Sequence, residues 1–388
     1  MMKFKINLLA GLIAGVMSSS ALAFEQDKLV IWSGSTNRGV VAVAQQFTEE
    51  LGIEVVVEHP EPVTDKFQQS AANGQGPDII LWAHDRFGEW GAGGLLTPVE
   101  PSQEIRERMF DFSWDALTLD GRIWGYPLSI EAVGLIYNKD LLPEPPSSFE
   151  QIFDLKLADG VKAIMWDYNN AYFSMPLLMA NGGYVFKQEG GVYDARDVGV
   201  NNEGAVKGAR MIKRLIDEKV MPVGADYNVM DTAFNKGELA MMINGPWAWD
   251  NLKATGINFG VAPLPTIEGQ SPRSFIGVIS AGINAASPNK DLAVEFIENY
   301  LLTEAGLAGL NEAVALGAVA HKAYSQVLSR DPNVAATQQI AAQGVPMPGI
   351  PETGKFWAAM NPALQNITGG QQTVEKALDD AATRMLAK

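Results

Sequence analysis

Aromatic and polar residues that could form a binding site occur together at three points of the sequence. The segment 82–86 (Trp-Ala-His-Asp-Arg) begins at the last residue of the apolar run 78–82. Residues 244–249 carry two tryptophans, and Phe356-Trp357 follows the Pro-rich stretch 346–351. Sugars present flat apolar C–H faces between rings of hydroxyl groups, so aromatic rings beside polar side chains suit them. We interpret these segments as parts of a carbohydrate-binding site.

Residues for catalysis or metal binding show no comparable pattern. His59, His84 and His321 lie far apart, and none has the spacing of a metal site. The G-x-S-x-G nucleophile motif is absent, and the Gly pairs at 74/76 and 91/93 complete no nucleotide-binding loop. A pair of carboxylates for glycoside hydrolysis is a spatial feature that the 45 acidic residues leave open. We predict no catalytic residue, no metal and no cofactor, with a secreted glycoside hydrolase as an alternative.

Composition and charge limit the classes of partner. The formal net charge is −16, so the surface would repel nucleic acid phosphates and anionic lipids, and we expect neither as a partner. The chain has no cysteine, which excludes disulfides and thiol-based zinc or redox chemistry. Its hydrophobic fraction of 47% is typical of an ordinary globular protein.

The N-terminal segment resembles an export signal. Lys3 and Lys5 precede the apolar run 8–17, and Ala21-Leu22-Ala23 supplies a small-x-small cleavage site. The run is shorter than the ~20 residues that span a bilayer. We therefore predict a signal peptide over residues 1–23, a mature chain that starts at Phe24, and a periplasmic location.

The elements that must position the binding residues alternate between strands and helices. Strands are predicted over 28–32, 53–58 and 78–82, with helices over 40–51 and about 64–72 between them. This order predicts a parallel sheet covered by helices, and the length of the chain predicts two domains. Ser147 and Glu150 fit a capping box that opens a helix, and apolar spacing predicts further helices over 292–301 and 374–385.

Several segments together resemble one protein family. Residues 58–60 (EHP), 76–88 (GPDIILWAHDRFG), 135–143 (LIYNKDLLP), 244–249 (NGPWAW), 277–290 (GVISAGINAASPNK) and 316–320 (LGAVA) are similar to the periplasmic maltose- and maltodextrin-binding proteins. These proteins are the extracellular solute-binding components of ABC importers for oligosaccharides. The similarity runs from about residue 28 to the C-terminus.

The resemblance implies a fold and a set of partners. Each of two α/β lobes would have a mainly parallel sheet flanked by helices, with the ligand cleft at a three-segment hinge near Glu131, Ile279 and Asp331. The first lobe would comprise 24–130 and 279–330, and the second 131–278 and 331–388. An oligosaccharide would close the lobes by contacting both of them. The expected partners are the membrane subunits of an ABC importer and, in some bacteria, a chemoreceptor; we expect a monomer that is not an enzyme.

The resemblance also implies the ligand-binding residues. An aromatic wall would comprise Tyr172, Trp247 and Trp357, and a polar pair would comprise Asp85 and Arg86. Further matches to the family's cleft, together with two altered positions, complete the predicted set: Arg38, Asp65, Trp82, Ala83, Glu131, Asn170, Phe173 and Met347.

Departures from the family concentrate in polar recognition. The loop 33–38 is two residues shorter and lacks an Asp-Lys pair, which Arg38 replaces only in part. Pro62 and Thr64 stand in place of Lys and Glu, Asn170-Ala171 in place of Glu-Pro, and Ala358 and Asn361 in place of Tyr and Arg. Each lost charged hydrogen bond is worth roughly 1.5–3 kcal/mol. The alternative to a maltodextrin ligand is therefore the same scaffold retargeted to another di- or oligosaccharide, including a substituted or acidic one.

Overall fold

A computed structural model describes Phe24 and residues 28–34, 37–190 and 192–387, which form a mixed α/β structure. The predicted signal peptide, residues 1–23, lies outside the described residues. The described strands are β1 Lys28–Ser33, β2 Glu54–Glu58, β3 Ile79–Ala83, β4 Leu96–Thr97, β5 Thr118–Leu119, β6 Arg122–Ile123, β7 Tyr126–Ala132, β8 Gly134–Asn138, β9 Lys162–Met165, β10 Tyr184–Glu189, β11 Val192–Gly199, β12 Leu239–Asn244, β13 Phe259–Ala262, β14 Phe275–Asn284, β15 Ala318–Val319 and β16 Val345–Pro346.

The helices cover these strands and connect them. They are α1 Asn37–Leu51, α2 Val63–Ala72, α3 Phe87–Ala92, α4 Gln103–Arg108, α5 Asp111–Asp115, α6 Phe149–Ile152, α7 Ala171–Met179, α8 Glu203–Asp217, α9 Tyr227–Asn235, α10 Trp249–Ala254, α11 Lys290–Phe296, α12 Glu304–Ala313, α13 Lys322–Leu328, α14 Pro332–Gln343, α15 Thr353–Thr368 and α16 Val374–Met385. Short 3₁₀ turns span His84–Arg86 and Pro246–Ala248, and a π-helical turn spans Ile297–Leu301.

The larger sheet has the strand order β15-β7-β14-β3-β1-β2, with β4 and β16 also pairing with β14. Strand β1 pairs in parallel with β2 and β3, as the strand-helix-strand order of the sequence predicts. The long strand β14 runs antiparallel to β3 and β7 and is buried along its whole length. It returns from the second sheet and lies between β3 and β7 of the larger sheet.

The second sheet has the strand order β13-β8-β12-β9. Strands β12 and β9 are parallel, whereas β8 runs antiparallel to both β12 and β13. The two-lobed α/β class is confirmed, but the expectation of mainly parallel sheets is wrong: among the described strands, only the pairs β1–β2, β1–β3, β14–β16 and β12–β9 are parallel. Strands β8 and β14 each follow a strand of the other sheet, so no helical crossover fixes them parallel to their neighbours.

Helix α1 shows how the amphipathic sequence fixes its place. Val40, Val43, Ala44 and Phe47 recur at helical spacing and are buried against the larger sheet. The Phe47 ring lies edge-on to Phe296, with ring centroids 5.3 Å apart. Burial of such a side chain contributes about 1.5–3 kcal/mol. Gly52, at φ +72°, then ends the helix in the left-handed conformation that glycine favours.

The predicted capping box at residues 147–150 is wrong in its partners. Helix α6 begins at Phe149 after Ser148, and no side chain caps it. The Ser147 N–H instead donates to the Gln151 side-chain oxygen at 2.9 Å, and the Glu150 carboxylate accepts from the backbone N–H of Glu268 at 3.0 Å. A tertiary contact with the backbone of Glu268 therefore takes the place of the local cap. The predicted C-terminal helix is confirmed as α16.

The predicted lobe boundaries at 130/131 and 278/279 fall inside β7 and β14, both strands of the larger sheet. The assignment of each residue to one lobe or the other therefore remains a prediction. None of the helices in the described ranges is long and apolar enough to cross a membrane.

Candidate functional site

A cleft of about 770 Å³ lies between the two sheets. Its size is within the ~300–1,000 Å³ of typical ligand pockets. Ten of the predicted site residues line it: Trp82, Ala83, Asp85, Arg86, Glu131, Asn170, Tyr172, Trp247, Met347 and Trp357. The lining also includes residues that sequence reasoning missed: Gly34, Glu61, Val63, Leu81, Gly277, Ile279 and, noted only as departures from the family, Pro62, Thr64 and Asn361.

Parallel strands position the residues on the larger sheet's side of the cleft. Strands β1, β2 and β3 run in the same direction, so their carboxyl ends meet at one edge. Gly34 follows β1, Glu61 and Pro62 follow β2, and Trp82 and Asp85 lie at the end of β3 and in the 3₁₀ turn after it. The periodicity of the sequence predicts this edge correctly.

The second sheet positions the opposite side in the same way. Tyr172 follows β9 and Trp247 follows β12, and these two strands are parallel, so both rings emerge at one edge. Their ring centroids lie 6.1 Å apart. Trp357 comes from α15, and the buried ring of Phe275 lies 6.4 Å from Tyr172 and 5.9 Å from Trp357. The three rings of the aromatic wall are therefore braced by one hydrophobic core.

Two of the cleft tryptophans lie against glycines. A Cβ built on Gly34 would stand 2.8 Å from the Trp82 ring, and one built on Gly245 would stand 2.1 Å from the Trp247 ring. Both distances are shorter than van der Waals contact. Glycine at these positions therefore leaves room for each indole, which any larger residue there would displace.

Asp85 links the two sides of the cleft. Its carboxylate is buried and accepts a hydrogen bond from the indole N–H of Trp357 at 3.1 Å. Burial raises the pKa of Asp85 to about 6, and the nearby Arg86 guanidinium opposes that rise. The Arg86 guanidinium itself donates to the Gln68 side chain at 3.0 Å and lies 3.4 Å from Glu89. Asp85 and Arg86, the predicted polar pair, therefore both already contact other residues of the protein.

Glu131 is a second carboxylate of the cleft. It lies on β7 opposite Gly277 of β14, and burial raises its pKa to about 7. The pKa of the neighbouring Tyr172 hydroxyl is raised by burial first, and then by the Glu131 and Asp85 carboxylates. The three groups are thus close enough to interact electrostatically, and they form a cluster of hydrogen-bonding groups with little positive charge.

His84 is a positioning residue that the sequence analysis did not assign. Its ring is buried, and its Nδ1 accepts from the backbone N–H of Val278 at 3.0 Å. Its Nε2 therefore carries the hydrogen and donates to the Met347 carbonyl at 2.8 Å. Burial lowers the pKa of His84 to about 4, which keeps this neutral form. The ring ties the Asp85 turn to β14 and to the segment that carries Met347.

Three predicted residues lie outside the lining of the cleft. Arg38 is 71% exposed and faces Asp250 of α10, with 3.6 Å between Nη2 and the carboxylate oxygen. Asp65 is exposed in the first turn of α2. Phe173 is buried behind the aromatic wall, with its ring centroid 6.2 Å from that of Trp247. Helical geometry separates Phe173 from the adjacent Tyr172 by about 100°, so only one of the two can face the cleft.

Among the described residues, no group of three or more His, Cys, Asp or Glu side chains is placed to hold a metal ion. The arrangement offers flat rings, carboxylates and amides in one cleft. Such a set can bind a polar ligand that has apolar faces.

Comparison with known proteins identifies the family. The sequence profile of the bacterial extracellular solute-binding protein family matches residues 33–307. This chain belongs to that family. Its mixed α/β fold with a cleft between two sheets agrees with the two-lobed architecture of these proteins.

Relatives with named ligands cover most of the chain. The galactooligosaccharide-binding protein of Bacillus subtilis is 30% identical over 94% of this chain and 90% of its own length. The maltotriose-binding protein of Pyrococcus abyssi is 29% identical over 88% of this chain and 77% of its own. A maltodextrin-binding protein of B. subtilis is 29% identical over 79% of this chain and 76% of its own. These relatives are substrate-binding proteins and not enzymes.

Proposed function

We propose that this protein captures an oligosaccharide in the cleft between its two lobes and delivers it to an ABC importer. The observation that carries the proposal is the aromatic wall, in which Tyr172, Trp247 and Trp357 line one cleft together with Asp85 and Glu131. Sugar rings stack on aromatic faces while their hydroxyl groups donate to carboxylates.

The charge of the cleft favours a neutral sugar. Glu61, Asp85 and Glu131 line it, whereas Arg86, the one cation among the described residues of its lining, already contacts Glu89 and Gln68. An acidic sugar would enter this site among three carboxylates, beside a cation that Glu89 already neutralises in part, and a buried charge without a full partner is unfavourable. This argues against the acidic-sugar form of the retargeting hypothesis.

The named relatives support two kinds of neutral ligand, maltodextrins and galactooligosaccharides. We propose a maltodextrin as the first ligand to test. The residues that depart from the family at 62, 64, 170, 171, 358 and 361 support the alternative. In that case the aromatic wall is kept, but the sugar that it binds has a different pattern of hydroxyl groups. A galactooligosaccharide is the most direct test of that alternative.

The remaining predictions extend this function. Residues 24–130 with 279–330 and residues 131–278 with 331–388 would move as two lobes about a hinge near Glu131, Ile279 and Asp331. The hydrogen bond from Trp357 to Asp85 joins the two sides of the cleft, and ligand-stabilised closure would act on the same two sides. We propose a periplasmic monomer that the importer's membrane subunits, and in some hosts a chemoreceptor, recognise in its closed form.

Isothermal titration calorimetry against maltotriose, maltotetraose, a galactotriose and a uronic acid disaccharide tests the proposal. We expect saturable binding in the micromolar range for a neutral oligosaccharide and much weaker binding for the acidic one. Chromatographic analysis of the sugars after incubation should show no cleavage. Absence of binding to every neutral oligosaccharide, or tighter binding of the acidic sugar, would contradict the proposal.

A further inference from the structure

Asp250 makes two contacts with elements on the far side of the cleft. It lies in the first turn of α10, directly after the 3₁₀ turn Pro246–Ala248 that carries Trp247. Its Oδ2 atom accepts a hydrogen bond from the backbone N–H of Ala315 at 3.3 Å and lies 3.6 Å from Nη2 of Arg38. None of the three residues in these contacts is among the described residues that line the cleft.

Both partners of Asp250 belong to the side of the larger sheet. Arg38 lies in the first turn of α1, which follows β1. Ala315 lies shortly before β15, which pairs with β7. Strands β1 and β7 are both in the larger sheet, whereas α10 follows β12 of the second sheet. One carboxylate therefore contacts two separate segments on the opposite side.

A close approach beside Asp250 involves the same two parts of the chain. A Cβ built on Gly317 would stand 2.0 Å from Cγ of Pro246, so any larger residue there would displace the proline. The turn before β15 is itself fixed, because the Leu316 N–H donates to the side-chain oxygen of Asn311 at 2.9 Å. The segments 246–250 and 315–317 therefore meet at two points.

The two contacts of Asp250 differ in their expected strength. The Arg38 side chain is 71% exposed, and an ion pair in such an exposed setting contributes little. The Asp250 side chain is 29% exposed and Ala315 is buried. Loss of the carboxylate would leave the Ala315 N–H poorly solvated and without its acceptor, which is costly. The hydrogen bond is therefore the larger of the two effects.

Contacts between the two sides of the cleft affect affinity even when they do not touch the ligand. The apparent affinity of a protein is its intrinsic affinity multiplied by the fraction that is in the binding-competent arrangement. A contact that forms when the two sides approach raises that fraction. It should therefore strengthen the binding of every ligand that the cleft accepts, by the same factor.

We propose that Asp250 is a positioning residue, which joins the turn that carries Trp247 to the larger sheet and stabilises the closed arrangement of the cleft without contacting the sugar. This inference rests on the proposed function, because it concerns ligand-stabilised closure. It also gives Arg38, predicted as a ligand contact, a minor part in the same contact outside the binding site.

Three variants separate the two contacts. Asp250→Ala removes both of them. Asp250→Asn keeps an oxygen that can accept from the Ala315 N–H and loses only the charge that faces Arg38. Ala315→Pro removes the N–H from the other side, and the extended backbone of Val314 suits a residue that precedes proline.

Asp217→Ala is the matched control. It removes an exposed carboxylate whose partner, Lys213, lies on the same helix, α8. The control therefore loses a charge and an ion pair, but no contact between the two sides of the cleft. We expect it to bind as the wild type does.

The measurements are affinities for maltotriose, maltotetraose and a galactotriose by calorimetry, and association and dissociation rates by stopped-flow tryptophan fluorescence. For each sugar that the wild type binds, Asp250→Ala and Ala315→Pro should weaken binding about 3- to 10-fold. The loss should appear as faster dissociation, with association within about twofold of the wild type. Asp250→Asn should restore affinity to within about twofold of the wild type.

The outcomes distinguish this inference from the proposed function. Wild-type protein that binds no neutral oligosaccharide overturns the proposed function and this inference with it. Wild-type protein that binds one, together with folded Asp250→Ala and Ala315→Pro variants of equal affinity, overturns the role of Asp250 alone. A loss that differs several-fold between sugars would also contradict the inference, because it would indicate direct contact with the ligand. The same holds for a loss that Asp217→Ala shares.

Discussion

Replacement of Trp247 by alanine tests the aromatic wall with a magnitude that follows from the structure. Trp247 is partly buried, lines the cleft and lies against Gly245 on one side. A tryptophan side chain buries about 150–250 Å² in total, so a sugar on its open face would cover about 80–120 Å². At about 25 cal/mol per Å², this contact contributes about 2–3 kcal/mol. We expect Trp247→Ala to weaken oligosaccharide binding about 30- to 150-fold.

Trp249, two residues along, provides the matched control. It is 2% exposed and packs against Phe259, and its indole N–H has no hydrogen-bond partner among the described residues. Trp249→Phe therefore breaks no hydrogen bond seen there and should leave affinity within about twofold of the wild type. Calorimetric titration of both variants, with circular dichroism as a check on folding, decides the matter. A folded Trp247→Ala protein with wild-type affinity would refute the stacking argument.

Three further predictions concern charge, pH and packing. Arg38→Ala should change oligosaccharide affinity by no more than about twofold, since the side chain is 71% exposed and faces Asp250 instead of the cleft; a large loss in the titration would return Arg38 to the site. Burial raises the pKa of Glu131 to about 7 from its usual 4.5, so its contribution to stability is present at acidic pH and is lost as pH rises through about 7. Urea denaturation at about pH 5 and about pH 8 should show a larger loss of unfolding free energy in the wild type than in Glu131→Gln, and equal losses would contradict the burial of the carboxylate. Gly208→Ala would place a Cβ 2.2 Å from the Leu177 carbonyl oxygen of α7, so it should reduce unfolding free energy by about 1–3 kcal/mol, whereas Gly309→Ala, with no atom within 4 Å, should raise it by about 0.5–1 kcal/mol. Equal stability of these two glycine variants would be inconsistent with close packing of α7 on α8.

Local periodicity accounts for the parts of the fold that the sequence predicted well. The apolar runs of β1 and β3 and the stripe of α1 each reflect burial of one element against its immediate neighbours. The antiparallel course of β14 was not predictable in this way, because its direction is set by the return of the chain from the second sheet. The same limit explains the capping error at Ser147, where Glu150 contacts the distant Glu268.

In the candidate site, too, residues placed by local sequence were predictable and residues placed by distant contacts were not. Trp82 and Asp85 were predictable because they lie at the end of a strand with an unmistakable apolar pattern. His84 was not, since its partners Val278 and Met347 are 194 and 263 positions away. Asn361 was noticed only as a departure from the family pattern, and its contact with Ala171 depends on how α15 lies beside α7. Arg38 lies outside the lining of the cleft and faces Asp250 of α10, a contact between distant parts of the sequence that local patterns do not show.

The most direct test of the central claim is a crystal structure of the protein with the oligosaccharide that binds it most tightly in calorimetry. The account predicts sugar rings in the cleft between the two sheets, stacked on Tyr172, Trp247 and Trp357, with hydroxyl groups at hydrogen-bond distance from Asp85 and Glu131. Sugar bound elsewhere, with the aromatic wall uncovered, would contradict it.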